Sequence, residues 1–245
     1  MAITKTNLTS GSNTTDATSF QTANITPTAN RLVLVAVLSS IASTPPNAPT
    51  LTGNGLTYVK ITEVTFHTIA SPWSRLSLWR AMGASPTTGR ITIDFGAQTQ
   101  GCCVWSVSEY DGINTGGTNG SGAIVQSQIA QADASAGPLA VTLSAFGHAD
   151  NATFAAFGSG LNGSFSPNGG LTEIHDTATS SPATTLETCW SASNDTSPDA
   201  TPNTTGDLAG IAIEIKSATA TSTGGKVTGG KLVNHGLLKG HLVGA

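Results

Sequence analysis

Two short acidic motifs carry the residue types that general acid–base chemistry needs. Glu109 and Asp111 stand two apart in SEYDG, and Glu173 and Asp176 flank His175 in LTEIHD. Two carboxylates facing one cleft are the machinery of glycoside hydrolysis, and acids beside an imidazole are cation ligands. Both motifs also have ordinary structural explanations. Glu109 closes an apolar strand pattern, and Asp111-Gly112 is a turn pair. His67, His148 and His175 lie far apart in the chain and read as surface or hydrogen-bonded strand residues. The residues therefore predict no catalytic group, no enzyme activity, no metal site and no cofactor.

Other chemical signatures are missing from the sequence: no GxSxG elbow, HExxH, P-loop, CxxC, EF-hand loop or dinucleotide fingerprint occurs. The Gly-rich stretch Thr115–Gly122 lacks a P-loop lysine and reads as a surface loop. Cys102, Cys103 and Cys189 have no zinc spacing. Adjacent strand residues point to opposite faces, so only one of Cys102 and Cys103 can readily meet Cys189. All three read as buried thiols that pack as small hydrophobes. Of four tryptophans, Trp79, Trp105 and Trp190 sit inside strand patterns and read as core. Trp73, after Ser71-Pro72, is the candidate for an exposed, glycan-binding ring.

The elements that must position these residues are short and extended. Ile91, Ile93 and Phe95 alternate with Thr92 and Asp94; Ile211, Ile213 and Ile215 alternate with Ala212 and Glu214. Such alternation predicts strands with one face buried and one wet or covered. Arg31–Leu38 is apolar on both faces, as a central strand is. Ala123–Ala136 comes nearest to a helical period. About a dozen such segments, separated by Pro-Pro, Asn-Gly, Asp-Gly and Ser-Pro punctuation, predict an all-β protein: an antiparallel β-sandwich or jelly roll.

Only 10% of the 245 residues are charged, against about 25% in an ordinary domain. Thr, with 38 copies, and Gly, with 28, take up much of the difference, and the wet strand faces are expected to be Thr and Ser. Ten basic residues against fourteen acidic ones build no broad cationic face, which excludes the usual nucleic-acid binder. No apolar run approaches the roughly 20 residues of a membrane span, and no signal peptide is expected from MAITKTNLTSGSNTT. The eight Asn-X-Ser/Thr sequons read as chance in an Asn- and Thr-rich chain. Neither a nucleic acid nor a membrane is expected as partner.

The charge is unevenly placed. Residues 1–216 hold seven basic and fourteen acidic residues; the remainder holds three lysines and no acid. This divides the chain into an N-terminal extension (1–16), a sandwich domain (17–217) and a Gly-rich, basic and aliphatic C-terminal arm (218–245). The arm's anchors are Lys226, Val227, Lys231, Leu232, Val233, Leu237, Leu238, Lys239, Leu242 and Val243. They are the expected partner-binding residues, across another subunit or on an assembly, with the extension as the competing attachment element.

Five stretches, ANRLVLVAV, RLSLWRA followed by RITIDF, WSVSEYDGIN and the closing GIAIEIK, resemble a jelly-roll-like β domain of tailed-phage and prophage structural proteins over roughly residues 16–217. The resemblance implies a non-enzymatic virion component, of the capsid decoration (cement) or tail-associated type, often homotrimeric. It implies a major capsid protein or other virion protein as partner, and carries no catalytic residues. The arm lies beyond it. The alternative function is a carbohydrate-binding or adhesin module of a phage tail or fibre.

Overall fold

The computed structural model describes residues 2–42, 44–66 and 72–218. Among these there is no α-helix; one 3-10 turn, Ser121–Ala123, interrupts an otherwise all-β chain. The expected antiparallel sandwich is present, but its layering is richer than one sandwich over residues 17–217. A five-stranded sheet has the order β1 (Thr4–Asn13), β9 (Cys102–Asp111), β3 (Leu32–Ile41), β7 (Trp73–Ala81), β6 (Val59–Phe66). A second has the order β10 (Ile124–Ser135), β17 (Gly206–Ile215), β12 (Ala152–Ser159), β15 (Ala183–Ser191), β14 (Thr172–Ser180). Each is covered on its far side by a smaller sheet. One comprises β2 (Ser19–Gln21), β8 (Ile91–Asp94), β4 (Thr50–Gly53) and β5 (Leu56–Thr57); the other β11 (Leu139–Ala140), β16 (Asp199–Pro202) and β13 (Phe165–Pro167).

Three apolar cores separate the four layers. Leu32, Leu34, Leu38, Phe154, Ile211 and Ile213 fill the central one, between the two large sheets. Val33, Val35, Val37, Trp79, Ile91 and Ile93 fill the second. Phe157, Phe165, Leu208, Val141 and Cys189 fill the third. The run LVLVAVL is thus apolar on both faces because β3 has protein on both faces, as doubly covered strands do. Ala212 and Glu214, the polar side of the β17 alternation, are covered rather than wet.

The two halves have the same connectivity. In each, the first strand lies at the edge beside the last, which pairs with the third: β1-β9-β3 and β10-β17-β12. The registers also match. Leu32 pairs with Tyr110 and Ala152 with Ile215, and both edge hairpins carry a register shift at an isoleucine, between Lys60 and Thr62 and between Glu173 and His175. A bulge of this kind is a built feature that bends a strand, so its recurrence at one register position marks a structural repeat. β1 packs over β14, and β10 over β6, the cross-pairing that a two-fold axis between the large sheets produces. At that axis Ile113 bridges Ser217, and Ala218 N–H donates to Gly112 O at 2.8 Å. Gly112 has φ 73°, and a Cβ there would lie 2.5 Å from Ala2 O, so the position needs glycine.

Several expectations change. Residues 4–13, expected to belong to an extension, form β1, with Ile3 buried beside it. Ala123–Ala136 has no α-helix; beyond Ala123, which closes the 3-10 turn, it is almost all β10. The hydroxyl residues are not confined to wet faces: Ser40, Ser74, Ser106, Thr184 and Thr188 are buried. They bond to other buried hydroxyls, Ser106 with Thr188 at 2.7 Å, Ser40 with Ser74 at 2.6 Å and Thr184 with Thr179 at 2.8 Å, which satisfies groups that would be costly alone.

Candidate functional site

Glu109, the first acid expected to matter, is a structural anchor. It lies near the end of β9 at 3% exposure, and its carboxylate accepts three hydrogen bonds. Thr28 donates its N–H at 2.8 Å and its hydroxyl at 2.9 Å, and Arg31 Nη1 stands 2.8 Å away. Arg31 Nη2 also reaches Asp111 Oδ2 at 3.3 Å. Both acids of SEYDG are therefore held by one guanidinium on one side of a turn and do not oppose each other across a cleft.

The second acidic motif gains a partner that sequence inspection missed. β14 and β15 place Asp176 directly opposite Glu187 and Glu173 opposite Cys189. Glu187 is fully buried, and neither of its oxygens has a hydrogen-bond partner. Burial first, then the charges of Glu173 and Asp176, push its carboxyl up to about 10, so it is a neutral acid at neutral pH. Asp176 accepts the Phe165 N–H at 3.0 Å through one oxygen, while the other is buried without a partner; burial raises its pKa. His175 is pushed down, by burial first and the nearby Lys5 second. Among the described residues no group of three or more His, Cys, Asp or Glu side chains is arranged to hold a metal ion. The only sign of Glu187 in the sequence was Glu in TTLETCW, which reads as one more wet strand position.

The other singled-out residues separate cleanly. Cys102, Cys103 and Cys189 are free and buried, as expected, and burial raises all three thiols. Trp79 and Trp105 are buried, and Trp190 meets Tyr110 edge-on at 6.0 Å. Trp73 is not on a loop: it opens β7 opposite Ile41 and is partly buried. His148 is exposed beside Asp150. His67 and the arm residues Lys226, Val227, Lys231, Leu232, Val233, Leu237, Leu238, Lys239, Leu242 and Val243 lie outside the described residues.

Among the described residues, two surface cavities adjoin these elements. One of about 370 Å³ is lined by Thr14, Asp16, Ile41 and Pro182, among others. The other, of about 570 Å³, lies at the start of β10 between Ile124, Val125, His148, Asn151, Glu214 and Lys216. Val125 and Ile129, both on β10, are the large apolar side chains most exposed among the described residues. Comparison with protein-family models, with curated proteins and with solved structures finds no match for this chain.

Proposed function

We propose that this chain is a non-enzymatic virion structural protein. In its most specific form it is a capsid decoration (cement) protein of a tailed phage, trimeric, held to the capsid by residues 226–243. The observation that carries the reading is the separation of charge: an acidic body, and a C-terminal segment with three lysines, paired aliphatics and no acid. Of the described residues that precede it, Lys216 lines a cavity with Ile124 and Val125 at the start of β10. A basic, apolar segment suits strand-edge or groove recognition on a partner, and three copies would multiply a weak contact by avidity. The test is co-sedimentation of the full chain with phage capsids that lack it. Binding is expected for the wild type and is lost when Leu232, Leu237, Leu238 and Leu242 are changed to Ser.

A second reading, a carbohydrate-binding or adhesin module, is favoured by one observation: the Trp73 ring is partly exposed at the start of β7. A glycan array separates the two. Binding that disappears in Trp73→Ala supports the adhesin, and no binding removes it.

A further inference from the structure

The structural repeat exposes one place where equivalent positions hold different chemistry. Val33 pairs with Glu109 and Thr153 with Glu214. Glu214 is thus the counterpart of Glu109, Asn151 of Arg31, and Lys216 of Asp111. In the first half Arg31 bridges Glu109 and Asp111. In the second half Glu214 is equally buried, at 1% exposure, yet its oxygens accept only neutral amides: Asn151 Nδ2 at 2.5 Å and Gln126 Nε2 at 2.6 Å. Among the described residues no ion pair within 4.0 Å reaches it. A carboxylate oxygen offers about two acceptor sites, so half the capacity of Glu214 is unused. Asn151 is committed elsewhere through its oxygen, which accepts the Ser217 N–H and hydroxyl.

Where the Arg31 side chain runs from Glu109 to Asp111, the second half has the 570 Å³ cavity, which touches both Glu214 and Lys216. We propose that this cavity is a binding site for a guanidinium or ammonium group, which pairs with Glu214 as Arg31 pairs with Glu109. A buried carboxylate without a cation is costly, and a planar guanidinium fits its free acceptor sites best. Val125 and Ile124 supply an apolar wall for the methylenes of such a side chain. Lys216 and His148 also line the cavity, and Asp150 lies 3.9 Å from His148. The exposed Lys216 stands where Asp111 stands in the first half. It therefore selects a cation carried with an acceptor behind it, such as a residue of a peptide chain with its carbonyl, over a free dication. Two sources share this chemistry: Lys226, Lys231 or Lys239 of this chain, and a basic side chain of a partner. The inference does not depend on the virion reading.

The probe is methylguanidinium, titrated at constant ionic strength into the full chain, with the side-chain amide signals of Asn151 and Gln126 followed by NMR. Saturable shifts of both are expected. Glu214→Gln should weaken the response about tenfold or more, and Asn151→Arg should abolish it by filling the site internally. If one of these variants fails to fold, the other carries the comparison. A silent wild type with a responsive Lys226→Ala, Lys231→Ala, Lys239→Ala triple variant assigns the site to the chain's own lysines and supports the proposal. Silence in both, or equal binding by wild type and Glu214→Gln, overturns it.

Discussion

Asp176 and Glu187 face each other across β14 and β15, and three of their four carboxyl oxygens are buried without a hydrogen-bond partner. Two like-charged groups so placed cannot both ionise cheaply. Burial and the neighbouring carboxylates favour the protonated form of Glu187.

Stability should consequently fall as pH rises. Glu187 ionises near 4.5 in an unfolded chain and near 10 in the folded one. Below about 4.5 both states are protonated and its contribution is complete. Above that the unfolded state loses the proton first, and the contribution drains away until the pH passes about 10. The slope from this one group is at most about 1.4 kcal/mol per pH unit. Urea denaturation at about pH 5, 7 and 9 should show Glu187→Gln gaining on the wild type with each step. A constant difference would mean that Glu187 is ionised or solvated.

Arg31→Met should destabilise the fold by about 1–3 kcal/mol, since it strands the buried Glu109 without its cation. The double change Arg31→Met, Glu109→Gln should recover part of that loss. Equal losses in the single and double variants would show that the ion pair contributes nothing.

Thr188→Val leaves the Ser106 hydroxyl buried without its partner, at a cost of about 1–3 kcal/mol; Ser106→Val leaves Thr188 its 3.4 Å bond to His175 O and should cost less. The double variant should cost less than the sum of the singles. Additive losses in a thermal-denaturation cycle would contradict the bond between these hydroxyls.

Gly112→Ala places a Cβ against Ala2 O at a left-handed backbone position. A loss of more than about 1 kcal/mol is expected. Gly137→Ala, where a Cβ meets nothing within 4 Å, serves as the control and should change stability by less than about 0.5 kcal/mol.

How much of this was legible depended on what each residue's neighbours were. The LVLVAVL run announced a doubly covered strand, and Ile211, Ile213 and Ile215 announced an inward face, because large aliphatics have few other places to go. The covered outer faces were not legible. Thr153, Thr185 and Glu214 are polar types that normally mark a wet face, yet all three are buried, against Ser193 and Asp195, Leu161 and Gly163, and Gln126 and Asn151 respectively. The structural repeat was hidden for a related reason. The halves share register, bulge and connectivity, which backbone geometry sets, but not side chains: Trp79 pairs with Val35, while Cys189 holds the equivalent place beside Ala155. Of the acids, Asp176 was visible as a candidate and Glu187 was not, since their meeting is created by cross-strand register. Glu214 became interesting only beside its counterpart Glu109.

The most direct test of the proposed role is to image capsids incubated with the full chain by cryo-electron microscopy. The expected result is density for the double-sandwich body on the capsid's outer surface at three-fold positions, joined to it by the C-terminal segment, and absent with the four-leucine Ser variant. Undecorated capsids with the wild-type chain, or equal decoration by the variant, would contradict it.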